Sequence, residues 1–268
     1  MNHRTHRRVA AAALIATAIT AATACGPAGT DAGAKNTAGA SPSPAKPKDA
    51  FDGLTGTQIS DKAKTALQGV TSLRLTGDAP DDSGGTLIMD IAMDTKGSCR
   101  ATITQPTGGV IQLIKNRGTI VMKGDEKFWR TSLASGEKEL TAKQTDAFLE
   151  LVKGRWMKVD KKTSKAMIRK DMCDLSTLSD ELKQDSGSTM SRGADITRAG
   201  QSLAVIYDRD GDEVSTVHVA KTGKPYPVEI INTGGTDAGT IKLSEFDKPV
   251  DATLPPADQI LDTNKLRR

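Results

Sequence analysis

The run Leu87-Ile88-Met89-Asp90-Ile91-Ala92-Met93 decides the fold. Leu87, Met89, Ile91 and Met93 fall at every second position and alternate with Ile88, Asp90 and Ala92. Side chains of a strand point alternately to its two faces, so this spacing predicts a strand with one richly apolar face. Leu73 and Leu75 alternate upstream. Downstream, Ala101 to Thr104, Val110 to Ile114 and Gly118 to Met122 read as further strands, separated by glycine-containing turns. Strands of about 5–9 residues with turns this close predict an antiparallel meander.

Outward from the meander the period changes. Ile59, Ala63, Ala66, Leu67 and Val70 stand at helical spacing, predicting a helix over Thr57–Gly69 with Ser60 as N-cap and Gly69 as its stop. Leu140 to Val152 reads as a second helix, capped by Thr141, with Ala147, Phe148, Leu151 and Val152 on one face and Gly154 after its end. A short helix is expected around Leu175–Leu182. Strand patterning then resumes at Gln201–Tyr207, Glu213–Ala220, Pro227–Asn232 and Thr240–Phe246. The order helix, sheet, helices, sheet predicts an α+β fold in which one continuous antiparallel sheet wraps around central helices. No repeat recurs at a fixed period.

The N-terminus sets the compartment. Arg4, Arg7 and Arg8 precede a 14-residue apolar stretch, Val9 to Ala22, which is short of the about 20 residues a membrane span needs. With small residues at Ala22-Thr23-Ala24 it reads as a secretory signal peptide over residues 1–24. Cys25 directly after them makes the site resemble a bacterial lipobox, with Ala22 where leucine is usual. That resemblance implies a diacylglyceryl group on Cys25, a palmitate-type lipoprotein anchor. Two or more acyl chains hold a protein stably to a membrane, so the chain is expected on the extracytoplasmic face of the cell membrane. Arg7-Arg8 leaves the export route open. Residues 25–50, rich in Gly, Ala, Ser and Pro, read as a disordered tether, and residues 51–268 as a single domain.

Composition narrows the chemistry. The 268 residues carry a net charge of +4, but residues 1–24 hold three arginines and no acids, so the remainder is at +1. That balance, with 3% aromatics, gives no footing for nucleic acid as a partner. Only His218 lies in the body of the chain, so no histidine-based metal site is expected and no cofactor is implied. Asp208-Arg209-Asp210-Gly211-Asp212-Glu213 lacks the glycine and glutamate spacing of an EF-hand and reads as a hairpin turn. There is no GxSxG around which His218 would serve a hydrolase, and no phosphate-binding glycine loop. The chain is read as no enzyme. Cys99 and Cys173 remain as an even pair outside the cytoplasm, which most simply form a disulfide. Closing a loop of 74 positions stabilises by about 4 kcal/mol at most.

The apolar strand faces admit two readings. One is a packed core. The other is an adaptable apolar cavity lined by Leu87, Met89, Ile91, Met93, Ile111, Leu113, Ile120 and Met122, since Met and aliphatic side chains line such sites.

Several features coincide beyond these: the lipobox at Cys25, the tether, Thr71-Ser72-Leu73-Arg74-Leu75-Thr76-Gly77 after the first helix, and Gly97-Ser98-Cys99 at a strand boundary. Phe128-Trp129, Gly223-Lys224-Pro225-Tyr226-Pro227-Val228 and Phe246-Asp247-Lys248-Pro249-Val250 follow. Together they resemble an actinobacterial envelope lipoprotein of the LppX/LprA/LprG group, over about residues 55–255. The resemblance implies a half-barrel of the LolA/LolB type: a strongly bent antiparallel sheet with helices inside its curve. It also implies an acylated lipid or glycolipid ligand, held in an apolar cavity and carried through the envelope. No residue-level ligand motif transfers, nor does the Cys99–Cys173 pair. The leading reading is therefore a membrane-anchored lipoprotein that binds, and transports, an acylated or other apolar ligand. The alternative is an envelope interaction or sensor module for another protein, which needs a packed interior and an exposed apolar patch. A soluble hydrolase would need a polar cleft containing His218. The sequence leaves ligand identity and oligomeric state open.

Overall fold

Thr55 starts the first helix, α1 (Gly56–Gln68), through a reciprocal cap. Its hydroxyl accepts the Gln58 amide at 3.2 Å, and the Gln58 side chain accepts the Thr55 amide at 2.9 Å. Such a box satisfies two of the helix's orphan donors and contributes about 1 kcal/mol. The helix therefore begins before the expected Thr57, and Ser60 lies inside it rather than capping it. The computed structural model describes residues 49–81, 84–135, 140–159, 173–176 and 190–262. The expected signal peptide, Cys25 and nearly all of the expected tether lie outside these residues. So does most of the helix expected around 175–182, of which Leu175 and Ser176 are helical.

The meander read from the Leu87–Met93 run is present as β1 (Ser72–Pro80), β2 (Thr86–Asp94), β3 (Cys99–Gln105), β4 (Gly109–Asn116) and β5 (Thr119–Gly124). Two helices follow. Of these, α2 (Glu126–Ala134), capped by Asp125, is not in the sequence reading, whereas α3 (Ala142–Val152) has the expected Thr141 cap. Leu149 and Val152 form the buried face of α3, with Ala147 and Leu151 exposed instead of facing inward. Then come β6 (Trp156–Val159), β7 (Ser191–Arg192), β8 (Ile196–Arg198), β9 (Gln201–Asp210), β10 (Glu213–Ala220), β11 (Pro227–Thr233), β12 (Gly239–Ser244) and β13 (Ile260–Asp262).

All thirteen strands belong to one curved, open sheet ordered β13-β6-β5-β4-β3-β2-β1-β12-β11-β10-β9-β7, with β8 also on β9. It is antiparallel except for β13 on β6. Two meanders, β1–β6 and β9–β12, are thus joined by the β1–β12 pair. That seam is close. A Cβ on Gly77 would stand 1.9 Å from the Thr240 carbonyl oxygen, and Gly77 has φ +157°. Only glycine fits there.

The helices lie on one face of the sheet, the inner face. Ile59 and Ala63 of α1 pack on Ala204, Ile206 and Val219, while Trp129, Leu149 and Val152 pack on Met122, Met157 and Val159. The outer face is also covered at one end. After β12 the chain crosses it as a strap, where Val250, Ala252, Leu254 and Ile260 bury Ile114 and Val121. The expected disulfide is formed: Cys99 of β3 is bonded to Cys173, with Cα atoms 5.6 Å apart. Among the described residues no helix is long and apolar enough to cross a membrane. At the other end of the domain, Asp49 pairs with Lys221 and Arg192, and Phe51 behind it is buried.

Candidate ligand-binding site

Cross-strand register sorts the inner face into rows. The innermost runs Ile120, Lys115, Cys99, Met93 and Leu73, and the middle one Met122, Leu113, Ala101, Ile91, Leu75 and Leu243. The outer row runs Ile111, Ile103, Met89, Gly77, Ile241, Ile230, Val217 and Ile206, across eight strands. Leu87 lies one step further out, opposite Ala79. All eight residues singled out from the sequence therefore share this face.

Their burial differs by row. Ile91, Met93, Leu113 and Met122 are at most 4% exposed and belong to the packed core. Leu87, Met89, Ile111 and Ile120 are half-buried. In the outer row Ile241, Ile230 and Val217 share that intermediate burial, as does Gly77 at its middle. The sequence reading stopped at the first meander and missed these three. Their signal was present in the alternation of Ile241 with Leu243 and of Val217 with Val219. At about 4.8 Å per strand, the stretch from Ile111 to Val217 spans about 30 Å. It is apolar throughout and interrupted only by Gly77, where the two meanders meet.

Two grooves lie elsewhere, and none of the eight residues lines either. One, of about 310 Å³, sits between α2 and α3 beside Trp129, where Arg130 bridges Glu126 (2.8 Å) and Asp146 (3.3 Å). The other, of about 360 Å³, lies on the outer face beneath the strap, lined by Arg74, Asp90, Arg100, Glu245 and Lys248. Arg74 grips Asp90 through two hydrogen bonds of 2.7 and 2.6 Å, which hold the Asp90 carboxyl below its ordinary pKa. Arg100 donates to the Asp251 carbonyl at 2.7 Å. Arg74 is thus engaged within the sheet, and Arg100 in fixing the strap.

His218 is buried on the outer side of β10. Its Nδ1 is 2.7 Å from Glu229 Oε2, and Arg198 pairs with the same carboxylate. The histidine lines neither groove, so the structure gives it a carboxylate partner inside the fold rather than a cleft. Among the described residues no cluster of three or more His, Cys, Asp or Glu is placed to hold a metal.

The C-terminal motif acts as a fastener. Asp247 has φ +60° and accepts four hydrogen bonds: the Thr71 amide at 2.9 Å, the Thr71 hydroxyl at 3.1 Å, Lys224 Nζ at 3.1 Å and the Tyr226 hydroxyl at 3.0 Å. The Thr71 amide, followed by Lys224 and Tyr226, holds its carboxyl far below the usual range. Phe246 stacks on Tyr226 at 4.0 Å between ring centroids.

No protein-family model matches the chain, and no curated protein sequence matches it. Solved structures do. The chain is similar to the lipoprotein LppX of Mycobacterium tuberculosis, at 13% identity over 74% of this chain and 98% of that one, with a TM-score of 0.46. It is similar to LprF of Mycobacterium bovis, at 12% identity over 75% and 97%, with a TM-score of 0.48. A LolA superfamily protein of Nitrosomonas europaea matches at 10% identity over 75% and 96%, with a TM-score of 0.26.

Proposed function

We propose that the chain is a lipoprotein whose inner sheet face binds an acylated lipid or another apolar ligand. Cys25, diacylated after cleavage of residues 1–24, anchors it to the extracytoplasmic face of the cell membrane, and the tether of residues 25–50 sets the domain off that surface. Carriage of the ligand between membrane and envelope is part of the same proposal. One observation carries the reading. The outer row from Ile111 to Val217 is apolar across seven strands and half-buried at every position but Ile103, while Ile91, Met93, Leu113 and Met122 in the rows behind it are packed. Burying acyl chains there supplies about 0.8 kcal/mol per methylene without covalent chemistry.

The test is mass spectrometry of organic extracts from the full chain, purified from an actinobacterial host. A stoichiometric acylated species, lost in Met89→Asp and Ile241→Asp but kept in the surface variant Lys242→Asp, is the expected result. Protein that carries no lipid, in wild type and variants alike, sinks the reading. Anchoring is checked separately: Cys25→Ser should move the protein out of the membrane fraction and abolish palmitate labelling.

A further inference from the structure

Three packed clusters cover parts of the inner face: one beneath α1, one beneath α2 and α3, and one around Cys99. Around Cys99 the side chains are packed to between 0 and 6% exposure: Leu73, Met93, Cys99 and Leu113 from the sheet, with Leu67 and Val70 from the end of α1. Two further members of that cluster, Cys173 and Leu175, come from outside the thirteen strands and α1–α3. They are each 6% exposed, and the bond to Cys99 fixes them there. Beyond the middle row burial falls off, and the outer row begins.

We propose that Cys173 and Leu175, held by the disulfide, form the stop that closes one end of the apolar site and so set the length of ligand chain it accepts. This rests on the apolar-ligand reading above. The geometry separates the stop from the rest of the frame. α1 is tied to β9 and β10 by its own packing, and the Tyr226–Phe246 stack is fastened through Asp247. Leu175 has no strand register of its own, and the covalent link of its segment to the sheet is the one at Cys173. Leu175 belongs to the same packed cluster as Leu113 and Met93, and the half-buried Met89 and Ile241 of the outer row pack against that cluster. Removing three carbons from Leu175 frees space for about two methylenes, each worth about fourfold in affinity.

The experiment uses the full chain carrying Cys25→Ser, loaded with the fluorescent probe N-phenyl-1-naphthylamine. Saturated fatty acids of increasing length then displace the probe. Wild type should show a sharp upper limit in chain length. Leu175→Ala should move that limit up by about two methylenes, and the milder Leu175→Val by about one, with the affinity of shorter chains unchanged. Reduction with dithiothreitol provides an arm free of substitution. The cystine takes up two electrons and two protons to give two thiols, while the reagent closes to its cyclic disulfide. The reduced protein should lose the sharp limit. Displacement with a limit that stays fixed in both variants and on reduction overturns the stop and leaves the apolar-ligand reading intact. Failure of wild type to bind the probe or any fatty acid overturns both.

Discussion

Asp247 accepts the backbone amide of Thr71 at 2.9 Å across 176 positions of sequence. One carboxylate thus ties the turn between α1 and β1 to the turn after β12, and through Lys224 and Tyr226 to the β10–β11 connection. Because these donors stabilise the charged form, its folded-state pKa lies below that of the unfolded chain. The associated stability is fully present above about pH 5 and is lost as the pH falls through about 4 and below. Asp247→Asn keeps the size and tolerates the left-handed backbone but removes the charge. Thermal melts should show a Tm lower by about 2–4 °C near neutrality, and a gap that narrows on acidification. A gap that is constant between about pH 6 and pH 3 counts against the assignment.

Gly77 is the tightest point of the seam between the meanders. Gly77→Ala places a methyl against the Thr240 carbonyl and must push β1 from β12. Urea unfolding should register a loss of about 2 kcal/mol or more, whereas Gly118→Ala, where a Cβ meets open space but φ is +85°, should lose about 1 kcal/mol.

Reducing the Cys99–Cys173 bond, or replacing both residues by serine, should lower stability by about 2–4 kcal/mol. Denaturant titration with and without dithiothreitol measures it. An unchanged midpoint would mean that the bond constrains little of the unfolded chain.

Glu229 is 7% exposed at its side chain and is held by His218 and Arg198, with Lys242 at 3.9 Å. Glu229→Leu leaves a buried histidine beside apolar atoms and should cost about 3 kcal/mol. Adding His218→Leu should restore much of it, because the pair is then replaced by packing atoms. A double variant as weak as the single one would refute that coupling.

Most strands were legible because one face is buried, so alternation carries the register. The Thr141 cap was legible for a similar reason, since a hydroxyl before a helical spacing has one local job. What escaped notice was short or doubly covered. α2 begins two residues after β5 ends, leaving no turn signal between them. β6 and β13 are too brief for a period to show. Leu113-Ile114 and Val121-Met122 are adjacent apolar pairs, which only a strand buried on both faces requires, and the strap is what covers the second face. The alignment of Ile241, Ile230 and Val217 with Met89 depends on β12 pairing with β1. No local pattern contains that pairing.

That pairing also sets the order in which the molecule can form. Ser244 meets Arg74 across 170 positions, so β1 waits with one edge bare until almost the last strand has been made. Closing so long a loop costs entropy before any contact repays it, and sheets dominated by distant pairs fold slowly. A chain that stops before Gly239 would hold a half-sheet with β1 as an open template for other strands. Correct folding is therefore a test of completeness, passed only once the C-terminal end has arrived.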